Sequence, residues 1–126
     1  MSLIAATALM VMNAGPIEVV ASPAPSFDVG YEELIEGDAQ AALEAIETSP
    51  VPHSDPALLI NHGIALASLG RDDAARAKFA EAAALRDRYR LETAGGKWVD
   101  SRVLARRGLA MVDGEEFKDY AALASR

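Results

Sequence analysis

The sequence predicts a mostly α protein built of stacked antiparallel helix hairpins, with a short β-hairpin near residues 89–99. Three observations lead there. Between Pro56 and Ala83 apolar residues recur every three or four positions, the period of a helix face. Gly70 interrupts that stretch and divides it into two helices. The pattern also repeats: Gly30 with Gly63, Gly37 with Gly70, Ala42 with Ala75 and Ile46 with Phe79 share one offset of 33 residues. A single offset across four positions is how stacked helical repeats declare themselves.

Taken in order, residues 3–14 (LIAATALMVMNA) are almost wholly apolar and are followed by Gly15, Pro16 and a run of small residues at 20–26. That order resembles the hydrophobic and cleavage regions of a secretory signal peptide, although no Lys or Arg precedes it. Twelve residues are too few to span a bilayer. The alternative is an amphiphilic helix capped by Ser2 and packed on the repeats. The expected division is therefore 1–25, a signal-like segment and Pro/Ser linker, and 26–126, one helical domain. Export to a bacterial periplasm is the expected location, with the cytoplasm as the alternative.

Residues 26–49 form the first expected repeat. Gly37 ends its leading helix, Asp38 caps the next, and Ala42, Leu43 and Ile46 make the apolar stripe. The Pro-rich connection at 48–54 stops any helix. Residues 56–83 form the second repeat. Asp55 caps it, Pro56 takes the first helical position, and Leu59, Ile60, Gly63, Ile64, Leu66, Ala67 and Leu69 form the stripe. After Gly70, Asp72 or Asp73 is the expected cap of a second helix, with Ala74, Ala75, Lys78 (by its stem), Phe79 and Ala82 on the inner side.

This second repeat resembles the tetratricopeptide repeat family. Gly63, Leu66, Gly70, Ala75, Phe79 and Ala82 stand at the family's packing positions, and Asn61 at its frequent pre-glycine Asn. Leu59 and Leu66 replace the usual Trp and Tyr. The resemblance implies right-handed stacking of the hairpins and a concave groove that receives a peptide or protein. By position Asn61, Ile64 and Ser68 would face that groove, with Ile60 and Ala57 nearby. Asn61 is the foremost candidate, because its amide can bond a peptide backbone as donor and as acceptor. The family binds proteins and catalyses nothing, so the expected function is a non-enzymatic scaffold or adaptor.

The divergent part, 84–126, begins with helix continuing through Leu85 and towards Arg88. Tyr89, Leu91 and Thr93, then Gly95-Gly96, then Trp98 and Val99 predict the β-hairpin. It should dock on the helices through Tyr89, Leu91, Trp98 or Val99, since an isolated hairpin is marginal. Ser101 is the expected cap of a further helix with Val103, Leu104, Gly108, Leu109 and Met111 or Val112 inward, closed by Asp113-Gly114. A last helix with Phe117, Tyr120, Ala121 and Leu123 on one side is expected in the tail.

Composition narrows the function. The chain has 126 residues, a net charge of −7 and no cysteine. One domain with one core is the expectation. Disulfides and thiolate metal sites are excluded, and His53 and His62 alone cannot furnish a zinc site. The acidic balance argues against nucleic-acid binding, and no cofactor is expected. Residues 1–70 hold nine acids and no Lys or Arg, whereas 71–126 hold all twelve basic residues and the other ten acids. These are read as solvated faces, or as an acidic end that attracts a basic partner or a second copy.

Other residues carry two readings each. Glu32, Glu33, Glu36 and Asp38 read as a solvated face rather than an acid cluster. His62 reads as a packing histidine; the alternative is a pH sensor, or an enzyme or regulatory subunit pairing it with a carboxylate. Trp98 reads as a core anchor or a partner contact. Arg102, Arg106 and Arg107 read as a basic patch for a carboxylate-bearing peptide or as solubilising charge. Two repeats make a small groove, so the N-terminal segment, the hairpin or a second copy should complete the stack. The alternative function is thus a homo-oligomeric structural protein whose groove is filled by its own N-terminal segment.

Overall fold

The computed structural model describes residues 17–20 and 29–118. Among them the order is α1 (Tyr31–Ile35), α2 (Ala39–Glu47), α3 (Pro56–Ser68), α4 (Asp72–Ala83), β1 (Arg90–Glu92), β2 (Trp98–Asp100) and α5 (Ser101–Asp113). The protein is mostly helical with one small antiparallel hairpin. The apolar segment 3–14 and the part of the expected tail helix beyond 118 lie outside the described residues.

The centre is α3, whose residues Pro56 to Ala67 are all buried. A helix apolar on every side must be surrounded, and this one is. The Asp55 carboxylate accepts the Leu58 N–H at 3.1 Å and caps its start. Its end turns on Gly70, at φ 77°. The Gly70 N–H donates to the Ala67 carbonyl at 3.0 Å and the Arg71 N–H to that of Leu66 at 2.9 Å. Gly37, at φ 80°, ends α1 in the same way, with Asp38 N–H donating to Glu33. Both turns need a left-handed residue, which glycine supplies without a Cβ clash. The Asp38 side chain then caps α2 by accepting from Ala41 N–H at 3.0 Å.

Successive helices pack on one another, and α3 also touches α1 and α5. The ring of Phe79 on α4 fills the space between α3 and α5. It occupies the ground where a Cβ on Gly63 or on Gly108 would stand, at 2.6 and 2.5 Å respectively from the ring carbon Cε1. On its open side it stacks on Phe117, with centroids 6.0 Å apart. Gly30 meets Ile46 as Gly63 meets Phe79: a Cβ there would lie 3.0 Å from Ile46 Cδ1. The offset of 33 therefore relates two real glycine–side-chain contacts.

The hairpin pairs Arg90 with Asp100, Leu91 with Val99 and Glu92 with Trp98. Opposed residues share a face. Leu91 and Val99 go inward to the core, and Trp98 goes outward.

Several expectations are corrected. Gly30 is not inside a helix but is the left-handed residue before α1, which is only five residues long. Arg71, not Asp72 or Asp73, stands at the cap position of α4, and no side chain caps it. Ala74 is exposed. Helix α4 stops at Ala83 instead of continuing to Leu85 or Arg88. The cap of α5 is Asp100, whose carboxylate accepts the Arg102 N–H at 2.8 Å; Ser101 is the first helical residue and is fully buried. Val103 and Trp98 are exposed, at 38% and 56%, so neither is a core anchor. The left-handed residue after α5 is Glu115, at φ 56°, rather than Gly114. Arg102 joins no surface patch: its guanidinium donates to the carbonyls of Leu85 and Arg86 and so ties off the chain leaving α4.

Candidate functional site

The sequence places Asn61 in the middle of the most buried helix, where a carboxamide must find partners or cost several kcal/mol. It finds three. Oδ1 accepts the Val20 N–H at 3.0 Å, and Nδ2 donates to the Val20 carbonyl at 2.7 Å and to the Val29 carbonyl at 3.0 Å. Asn61 is wholly buried. Both protons of its Nδ2 and its oxygen are thus spent on backbone, and none on a side chain.

The backbone it holds is Ile17–Val20. This segment lies beside the turn that follows β1. Val20 pairs with Thr93 in an antiparallel bridge, and the Ala94 N–H donates to the Val19 carbonyl at 2.8 Å. The Glu18 carboxylate accepts the Gly95 N–H at 2.6 Å. The Ile17 N–H points at Met111 Sδ on α5 at 3.3 Å. Ile17, Val19 and Val20 are at most 2% exposed and belong to the same apolar cluster as Ile60, Ile64 and Leu91. Four residues are held by three separate parts of the chain: α3, the β1–β2 turn and α5.

Asn61 therefore binds an extended backbone in both directions, and the backbone belongs to the same chain. Ile60 and Ile64 are fully buried in that cluster instead of lining a solvent-filled groove. Ser68 is half-buried; its hydroxyl donates to the Ile64 carbonyl at 2.8 Å, and the residue lines a cleft with Ala67, Gly70, Val112 and Phe117. Gly63, Ala75, Phe79 and Ala82 are buried, and the exposed Gly70 makes the left-handed turn after α3. Ile17, Val19 and Val20, which fall within the segment 1–25, are packed into this body.

His62, next to Asn61, is 8% exposed and its Nδ1 has no hydrogen-bond partner. Burial first, then the charges of Lys78 and His53, lower its pKa from 6.5 to about 4. The His53 ring meets it edge-on at 6.5 Å. Among the described residues no carboxylate is hydrogen-bonded or ion-paired to it. Among the described residues, too, no group of three His, Cys, Asp or Glu side chains stands close enough to hold a metal ion. No helix among them is long and apolar enough to cross a membrane.

Sequence reasoning missed Glu18, Thr93, Ala94, Gly95 and Met111 as partners of this site. A signal was available: Ile17, Val19 and Val20 are three β-branched residues in four, a composition that favours strand. In comparison with known proteins, no family model, curated protein or solved structure matches the chain.

Proposed function

We propose that this protein is a non-enzymatic interaction module, a tetratricopeptide-like scaffold whose α3 face takes up extended polypeptide, and that residues 17–20 occupy that place in cis. One observation carries the reading: Asn61 grips a backbone N–H and the C=O of the same residue, and does so without regard to side chain. A peptide from a partner presents the same two groups, so the clamp suits any strand that can fit the flanking apolar positions. The cis segment then acts as an occupant that a partner must displace, or that a second copy exchanges. Exchange between copies is the second reading, favoured by the fact that the held segment is contiguous with the chain and meets its site through backbone bonds.

The test is a titration of a fluorescent hexapeptide, PIEVVA, into the full-length chain carrying Val20→Asp, which weakens the cis occupant. Saturable binding at roughly 0.1 mM is expected, with loss of that binding when Asn61→Leu is added. Circular dichroism of both variants, expected to match the unaltered chain, checks that the helices are kept. Absence of binding to the Val20→Asp chain up to millimolar peptide overturns the reading. Light scattering of the unaltered chain as a function of concentration separates the second reading from the first.

A further inference from the structure

We propose that the Asn61 slot selects an acidic side chain at the second position of the strand it holds, so that its occupant is an apolar–acid–apolar–apolar tetrad. This rests on the reading of the slot as a peptide site and names the peptide it takes. In the cis segment the four positions are Ile17, Glu18, Val19 and Val20. The three apolar side chains are buried, whereas Glu18 is half-exposed and lies over the turn between β1 and β2. Its carboxylate does two things there. It accepts the Gly95 N–H at 2.6 Å, a short charge-assisted bond. It also fills the space above Gly95: a Cβ on that residue would lie 2.6 Å from Glu18 Oε2 and 3.2 Å from Cδ. The turn is thus shaped to receive a carboxylate and has no room for it once residue 95 bears a side chain.

The backbone bonds at Val19 and Val20 fix the register, so that only the residue two before the Asn61-held position reaches Gly95. Asn61 supplies grip that is blind to sequence; Gly95 supplies the choice.

Two arms test this. In the first, amide hydrogen exchange is measured on the full-length chain with Glu18→Lys, Gly95→Ala and both together. Gly95 has no positive φ, and the atoms its Cβ would meet are the far end of a flexible side chain, so Gly95→Ala dislodges the carboxylate without unfolding the turn. Each single variant should speed exchange of the Ala94 amide about tenfold, with α3 and α4 amides unchanged, and the double variant should add nothing further. Unchanged Ala94 exchange in Glu18→Lys, or additive effects in the double variant, overturns the proposal. In the second arm, PIEVVA and PIKVVA are compared on the Val20→Asp chain. At least tenfold preference for the glutamate peptide is expected. Equal binding of the two overturns the selection and leaves the peptide site standing; binding of neither removes the peptide site, and the exchange arm alone then decides whether Gly95 selects for the acid in cis.

Discussion

Gly63 and Phe79 are fitted to each other: the phenyl ring takes the volume that any side chain on residue 63 would need, 2.6 Å from the missing Cβ. The ring has nowhere to retreat, because Gly108 presses on it from α5 and Phe117 stacks against it. Gly63→Ala should therefore destabilise the protein by about 1–3 kcal/mol, the usual cost of an extra methyl in a filled core. Gly63→Ala combined with Phe79→Leu should cost less than the sum of the two single changes, since the smaller side chain vacates the contested space. Urea unfolding of the four proteins measures this, and strict additivity would mean that the contact is not what holds α3 against α4.

A second prediction concerns acid. His62 is buried as the neutral imidazole and its pKa falls from 6.5 to about 4. Between those values the unfolded chain binds a proton that the folded chain refuses. The stability tied to this group is thus complete above pH 6.5, declines as the pH falls towards 4, and declines no further below it. At pH 5 the loss is at most ~2 kcal/mol. The difference in unfolding free energy between pH 7.5 and pH 5 should shrink by that amount in His62→Leu. An undiminished difference would assign the acid sensitivity to other groups.

Glu115 offers a stabilising change. It stands in the left-handed region at φ 56° after α5, with its N–H donating to Val112 at 3.1 Å and the Glu116 N–H to Met111 at 2.9 Å. This is the turn that ends α1 and α3 on glycine, made here with a side chain present, at a cost of roughly 1 kcal/mol. The ion pair from Glu115 to Lys118, at 3.4 Å, joins two exposed side chains and offsets little of it. Glu115→Gly should raise the melting temperature by several degrees. A lower melting temperature would show that the unfolded chain's added freedom outweighs the relief.

How much of this was legible in the sequence depended on how far each determinant lay from the residue it acts on. The boundaries of α3, its Asp55 cap and its Gly70 turn are local, and the spacing predicts them. The shared offset pairs Gly30 with Gly63 and Ile46 with Phe79, because a close contact repeated at one period leaves its mark in both copies. The end of α4 was missed because a remote group sets it: Arg102 collects the Leu85 and Arg86 carbonyls. Asn61 was singled out as a backbone-binding amide, but its ligand was not. Ile17–Val20 sits beside a Pro/Ser run, and its partners lie 41 residues away on α3 and farther along at Thr93 and Met111. Its β-branched composition hints at a strand, but nothing local says which distant segments that strand meets.

The last prediction separates the held segment from the signal-like one before it. A chain starting at Ser22 lacks Ile17, Val19 and Val20, each at most 2% exposed. Burial of three aliphatic side chains contributes roughly 5 kcal/mol in all, a large part of the total stability of a domain of this size. Their loss also strips Asn61 of two of its three hydrogen bonds in the centre of the core. A chain starting at Pro16 keeps every one of these contacts. The chain begun at Ser22 should therefore melt far lower than the chain begun at Pro16, or bind a hydrophobic dye at room temperature. Addition of the PIEVVA peptide should recover part of the lost melting temperature of the Ser22 chain, because the peptide restores those groups in trans. Equal stability of the two truncated chains would show that residues 17–20 rest on the domain without supporting it.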